Sequence, residues 1–181
     1  KVISYGMSEA ADWRILQVEF GPQEVAFTCR SPHSNHPHRM VSKLPGRHNL
    51  SNILAVMAAC DLAGLTMEQV QEALLTFRGV KRRQDILGEV NGILVMDDFA
   101  HHPTAVRETL EALKLFYPGR RLIAAFEPRT NTSRRSVFHD AYTEAFDAAD
   151  CICIKQPPGL EAISQEKRLD ARGLAGDILR R

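Results

Sequence analysis

Apolar and polar positions alternate along the first 45 residues. VISYG, DWRILQVEF, EVAFTCR and RMVSKL are short alternating runs separated by Gly, Pro and polar turns, and each predicts a β-strand. After Pro45-Gly46 the period changes. NLSNILAVMAACDLAG carries a broad apolar face at helical spacing and ends at Gly64. Thr66 then opens a second helix, TMEQVQEALLTF, with a Thr-x-x-Gln capping box through Gln69. Gly79 and the basic cluster Lys81, Arg82, Arg83 follow. Two helices close one unit there and a new strand pattern begins, so the chain divides into residues 1–78 and 79–181.

The remainder alternates between strand and helix. QDILGEV and ILVMDD are strands joined through Asn91-Gly92, a tight-turn signal. PTAVRETLEALKLFY is a helix with Pro103 in its first turn. RLIAAFE is a buried strand, RSVFHDAYTEAFDAA a helix, CICI a strand, and KRLDARGLAGDILRR a helix with a break near Gly173. This succession predicts an α/β protein: a doubly wound parallel-sheet (Rossmann-like) C-terminal domain preceded by a β-plus-two-helix unit. The strands after Gly79 are fewer than such domains usually hold. The chain also starts at Lys1 inside a strand-like pattern, and it reads as a segment of a longer protein, truncated at the C-terminal side as well.

Composition narrows the class. The chain has 181 residues, 44% hydrophobic and 25% charged, with a formal net charge of +1. Such totals describe a soluble globular protein of one domain, or of one domain and part of another. They give no general attraction to nucleic acid or anionic lipid. No apolar run approaches the ~20 residues of a membrane helix. Cys29, Cys60, Cys151 and Cys153 show no disulfide framework, and Cys151-Ile-Cys153 reads as two thiols on a strand, so a reducing cytoplasm is the natural setting. His33, His36 and His38 lie in SPHSNHPHR, whose prolines suggest an exposed turn. No acid or Cys completes a metal-ligand set there.

The chemistry concentrates in ILVMDDFAHHPTAV. Charged residues beside an apolar strand need partners or a task. Asp97 and Asp98 end the strand, and Pro103 starts a helix whose first N–H groups can receive an anion. AAFEPRTNTSRRS repeats the arrangement, with Glu127, Arg129, Asn131 and Thr132 after the next strand. Ligands of open α/β sheets sit off the carboxyl ends of strands, so two polar loops on one edge predict a phosphate or carboxylate site.

LPGRHNLSNILAVMAA, FRGVKRRQD, DDFAHHPTAV and EPRTNT, in that order over residues 44 to 132, resemble the Mur ligase family, the ATP-dependent ligases that build the cell-wall peptide. The resemblance implies a three-domain enzyme. An N-terminal domain holds the UDP-sugar, a central ATPase domain carries the phosphate-binding loop, and a C-terminal α/β domain delivers the acceptor and closes over ATP. The chain contains no G-x-x-x-x-G-K-[ST] sequence, so that loop is expected upstream. Residues 1–78 then correspond to the end of the central domain and 79–181 to most of the C-terminal one. The implied reaction uses ATP and Mg²⁺ to make an acyl phosphate that an amine attacks, and the fragment alone is expected not to ligate. DDFAHHPTA with EPRTNT is most similar to members that join UDP-N-acetylmuramate to the tripeptide L-alanyl-γ-D-glutamyl-meso-diaminopimelate in peptidoglycan recycling. Members that add L-alanine share the DD-aromatic-x-HHPT pattern but usually carry a Gln-Pro-His-Arg type of sequence in place of Glu127-Pro128-Arg129.

The resemblance also implies roles. His48, Asn49 and Asn52 lie near adenine, with helix capping by Asn49 as the alternative. Arg82 or Arg83 reaches the nucleotide, against a solvated basic turn. Asp98 holds the ribose hydroxyls. His101 orients a phosphate or the amine, or supports the Asp98 loop. His102 meets substrate or serves only as the residue before the helix. Arg129, Asn131 and Thr132 recognise the acceptor, Arg129 through a carboxylate. Ser133-Arg134-Arg135 departs from the Met-rich sequence of the family, which leaves fine acceptor contacts open. Two other classes remain: a nucleotide-binding or interaction module without ligase chemistry, and a metal-dependent hydrolase built on Asp97, Asp98, His101 and His102.

Overall fold

The computed structural model describes residues 2–157 and 159–181. The chain forms two compact units: residues up to Gly79 together with Leu115–Pro118, and Val80–Lys114 together with Gly119–Arg181.

In the first unit, β1 (Tyr5–Gly6), β2 (Trp13–Gly21), β3 (Glu24–Arg30) and β4 (His38–Ser42) form a sheet in that spatial order. The β1–β2 pair is parallel and the other pairs are antiparallel. Val25, Phe27 and Cys29 alternate onto the core face of β3, and Met40 joins them from β4. Helix α1 (Arg47–Leu62) lays Leu50, Ile53, Leu54, Met57 and Ala58 on the same core. Helix α2 (Met67–Thr76) opens with the expected capping box: Gln69 N–H donates to Thr66 Oγ1 at 3.3 Å, and Thr66 N–H to Gln69 Oε1 at 2.9 Å. Gln71 continues the sheet in side-chain form. Its amide accepts from Val41 N–H at 2.8 Å and donates to Val41 C=O at 3.0 Å, covering the edge of β4. The strand expected over VISYG shrinks to Tyr5–Gly6. Ser4 and Asp12 divert it, because each side chain accepts the other's backbone N–H, at 2.8 and 3.0 Å.

In the second unit, β5 (Asp85–Val90) and β6 (Ile93–Asp97) pair antiparallel. Asn91 and Gly92 turn the hairpin at φ +51° and +78°, the left-handed pair that a two-residue turn needs. Helix α3 (Pro103–Phe116) follows, and its buried Phe116 belongs to the first core. Strands β7 (Ile123–Phe126) and β8 (Cys151–Ile154) pair in parallel, and α4 (His139–Ala145) and α5 (Ala171–Leu179) complete the unit. Its core gathers Val106, Leu110, Phe126, Tyr142, Phe146, Leu169 and Leu174.

The architecture is mixed α/β, as expected, with parallel ladders between β1 and β2 and between β7 and β8. Other details differ from the sequence reading. Strand β6 pairs with β5 through the expected Asn91-Gly92 turn, but in a two-stranded sheet apart from β7 and β8. β7 is buried on one face only: Ala124 and Phe126 point inward while Ile123 is 58% exposed. The helix expected over RSVFHDAYTEAFDAA is a short 3-10 turn at Ser136–Phe138 followed by α4. Arg135 is extended and bridges Arg168, so a helix cannot begin there. No break falls at Gly173, which lies inside α5. Asp170 caps that helix, accepting from Arg172 N–H at 3.1 Å. A Cβ at position 173 would stand 2.5 Å from Asp170 Oδ2, so the glycine serves close approach.

Candidate functional site

Strand β6 delivers Asp97 and Asp98 to its carboxyl end, and the next residues turn into α3. Both oxygens of Asp98 are engaged by backbone: Oδ2 accepts Gln84 N–H at 2.8 Å and Oδ1 accepts Ala100 N–H at 2.6 Å. Each oxygen keeps a second lone pair for a hydroxyl. Phe99 N–H donates to Arg82 C=O at 3.0 Å, which closes the loop onto the 80–85 segment. The guanidinium groups of Arg82 and Arg83 lie over the Phe99 ring at 5.2 and 5.4 Å. Arg82 Nε is also 3.5 Å from Asp97 Oδ2. The aromatic after the two acids is thus a platform for both arginines, which face solvent.

The two histidines are held differently. His101 Nδ1 is 2.9 Å from Phe99 C=O, which can only accept, so Nδ1 carries a proton, and in the neutral ring Nε2 is the acceptor. Its ring packs edge-on against Phe99 at 5.1 Å, and its own carbonyl accepts the hydroxyl of Tyr142. His102 stacks edge-on against Phe138 at 4.7 Å. Its C=O accepts Val106 N–H at 2.9 Å, and its Nδ1 faces Thr104 N–H at 3.4 Å, the position of a helix cap.

The loop after β7 is built around a carboxylate. Glu127 Oε2 takes Arg129 Nη2 at 2.7 Å, and Oε1 takes Lys155 Nζ at 2.9 Å. These hydrogen bonds, Arg129 first and Lys155 second, hold its carboxyl below the usual range, and Glu127 raises Arg129 in turn. Asp97 also adds to the field at Arg129, so the two strand ends share one electrostatic neighbourhood. Beyond them, Thr130 and the buried Ser133 form a closed ring: Thr130 N–H and hydroxyl both reach Ser133 Oγ, at 3.0 and 2.8 Å. Arg134 donates to Asn131 Oδ1 at 2.7 Å and to Gly159 C=O at 3.2 Å. Thr132 is exposed, and its C=O accepts Arg135 N–H at 3.0 Å.

Of the expected site residues, Arg82, Arg83, Asp98, His101 and His102 stand together around the end of β6. Arg129, Asn131 and Thr132 share the loop after β7. His48, Asn49 and Asn52 lie on the first turns of α1 in the first unit. Asn49 is not the N-cap: Gly46 is, and the Asn49 amide donates back to Pro45 C=O at 2.8 Å. Asn52 is exposed. Five participants lie outside the roles that sequence reasoning assigns. Glu127 was named only as a loop residue, and Lys155 is 28 positions from it. Ser133 and Arg134 enter the sequence reading only as a departure from the family's Met-rich sequence, and Tyr142 only as part of a predicted helix. Only the lone polar tip of a buried tyrosine gave a signal, since such a hydroxyl needs a partner. Among the described residues, no three His, Cys, Asp or Glu side chains stand together as a metal site. His33 instead faces Asp61 at 2.7 Å.

Residues 82–178 match the model of the Mur ligase glutamate ligase domain, and residues 1–60 that of the Mur ligase middle domain. The UDP-N-acetylmuramate–L-alanine ligase of Roseiflexus castenholzii is 45% identical over 137 residues, 75% of this chain and 28% of that protein. The corresponding ligase of Caldanaerobacter subterraneus is 35% identical over 157 residues, 84% of this chain and 33% of its own length. The chain therefore spans about a third of the length of the curated relatives it matches. Among solved structures, UDP-N-acetylmuramate-alanine ligase from Thermotoga maritima superimposes with a TM-score of 0.79 at 22% identity, over 98% of this chain and 37% of that one. A murein peptide ligase from Psychrobacter arcticus gives 0.58 at 31% identity, over 98% of this chain and 35% of that one. With residues 82–178 of its 181 matched by one family model and its N-terminal part by a second, the chain belongs to the Mur ligase family of ATP-dependent ligases.

Proposed function

We propose that the full-length enzyme is a UDP-N-acetylmuramate ligase that activates the muramate carboxylate with ATP and couples it to an amine, with L-alanine as the acceptor. ATP phosphorylates the carboxylate, the amine attacks the acyl phosphate, and phosphate leaves. Residues 1–78 supply the end of the central domain and 79–181 the C-terminal domain. Arg82 and Arg83, aligned on Phe99, offer forked donors to phosphate, Asp98 offers its second lone pairs to ribose, and Asn52 offers an exposed amide to adenine. In its neutral form His101 presents Nε2 as the nitrogen available to accept from a substrate group, because Nδ1 donates to Phe99 C=O. Mg²⁺ supplies charge to the phosphates when bound, and no ligand for it is assigned to this chain. Among the described residues no helix is long and apolar enough to cross a membrane, and the proposed small-molecule substrates support work in the cytoplasm.

The L-alanine reading is carried by the relatives named above, which reverse the order of preference drawn from EPRTNT alone. Two observations support the tripeptide as the second reading. One is the Glu127-Pro128-Arg129 sequence itself. The other is the 31% identity to a murein peptide ligase. A competition assay decides between them. The full-length enzyme receives UDP-N-acetylmuramate, ATP, Mg²⁺ and equal amounts of L-alanine and the meso-diaminopimelate tripeptide, and products are weighed by mass spectrometry. A predominant L-alanine adduct supports the first reading, and a predominant tripeptide adduct replaces it with the second.

A further inference from the structure

We infer that Lys155 is a positioning residue for acceptor binding: through Glu127 it fixes the direction of Arg129, and its charge offsets the acids that would repel a carboxylate. The inference rests on the ligase reading above but on neither acceptor in particular.

The geometry begins with the ladder. Phe126 and Ile154 are register partners at the ends of β7 and β8, and Lys155 N–H donates to Phe126 C=O at 2.9 Å. Glu127 and Lys155 are each the first residue beyond a strand, so they leave the sheet side by side. The Glu127 side chain is 22% exposed, whereas those of Lys155 and Arg129 are 64% and 66% exposed. The carboxylate therefore sits beneath two outward-reaching cations. Each of its oxygens holds one of them, so it cannot turn about its last bond without breaking an ion pair. Pro128, fully buried, fixes the backbone between Glu127 and Arg129.

Charge gives the second half of the argument. Glu127 and Arg129 alone form a neutral pair, and the nearby Asp97 makes that neighbourhood less attractive to an anion. Lys155 adds one positive charge, which brings these four groups to neutrality and leaves the exposed guanidinium unopposed by a net negative field. Arg129 spends one donor on Glu127 and keeps the rest of its planar fork toward solvent, where a carboxylate can be taken. Without Lys155, Glu127 is freed to rotate and compete with the acceptor for the same guanidinium.

The test measures the KM for acceptor, ATP and UDP-N-acetylmuramate, and kcat, in the full-length enzyme and its K155M and K155R variants, using whichever acceptor the wild type accepts. K155M is expected to raise the acceptor KM about tenfold, the effect of losing one charge-assisted interaction, with kcat and the other two KM values unchanged. K155R keeps the cation and should restore most of the loss. An unchanged acceptor KM in K155M overturns the inference alone, as does a parallel rise of all three KM values, which indicates a structural role. A wild-type enzyme that ligates neither acceptor overturns the ligase reading and this inference with it. Position 155 is exposed, so the substitution should leave the fold intact, and K155Q provides a second variant with the same expected outcome.

Discussion

The carboxylate of Asp98 accepts the backbone N–H of Gln84 at 2.8 Å, joining the exit of β6 to the entry of β5. Gln84 holds φ +51° and Arg82 φ +61°, left-handed conformations that cost a non-glycine residue about 1–2 kcal/mol each. Two acids fix them. Asp98 takes the N–H of Gln84, and Asp85 Oδ2 takes the N–H of Arg82 at 3.1 Å. The segment that carries the paired arginines is thus strained locally and tied down by the strand ends it serves.

If this tie matters, Asp98→Ala should destabilise the second unit by about 1–2 kcal/mol, the worth of hydrogen bonds to a charged group at a half-exposed site. Asp98→Asn keeps one acceptor oxygen and should lose less. Urea unfolding midpoints measure both, and an Ala variant as stable as wild type contradicts the account.

Tyr142 provides a cleaner separation of packing from hydrogen bonding. Its ring is buried among Phe126 and Phe146, with centroids at 5.2 and 6.4 Å, and its hydroxyl donates to His101 C=O. Tyr142→Phe keeps the ring and should cost about 1 kcal/mol. Phe146→Ala removes a buried aromatic and should cost about 3–5 kcal/mol. Equal shifts in thermal midpoint for the two variants would contradict this, because the hydroxyl would then contribute as much as a buried aromatic ring.

Alkaline pH should weaken the fold before it ionises the buried groups. Burial pushes the Cys29 thiol from 9.0 up to about 12, and the Tyr142 phenol from 10.0 up to about 12. Both groups are neutral when folded, so their contribution is complete below the unfolded values and is lost as pH rises through them toward about 12. Thermal midpoints should fall between pH 9 and 11, and Cys29→Ala should flatten the first part of that fall.

The acid side has the opposite sign. The Asp150 carboxyl is held below its ordinary 3.8 by Leu122 N–H, 2.7 Å away, and then by Lys114. Its stabilisation is present above 3.8 and disappears as pH falls through the lower folded value. Asp150→Asn should show a smaller drop in midpoint between pH 4 and 2 than wild type.

Much of the fold was legible because its signals are local. Asn91-Gly92 declares its turn through positive φ, Thr66 and Gln69 declare a cap, and helical spacing places Leu50, Leu54 and Met57 inward. The differences come from contacts that periodicity does not register. Ser4 and Asp12 shorten the VISYG strand to Tyr5–Gly6, Arg168 holds Arg135 extended, and Gly173 makes room within α5 for the Asp170 cap. The candidate site divides along the same line. Asp98, His101 and Arg129 stood out as costly residues after strands. Glu127 and Lys155 meet only because β7 and β8 lie side by side in register, a pairing that is tertiary in origin.

The most direct test of ligase function is phosphate release from ATP by the full-length enzyme with UDP-N-acetylmuramate, Mg²⁺ and either acceptor, followed by product mass. The account predicts phosphate release that requires both UDP-N-acetylmuramate and an acceptor amine, with one amide adduct formed per phosphate. Phosphate release indifferent to UDP-N-acetylmuramate, or no adduct with either acceptor, would contradict it.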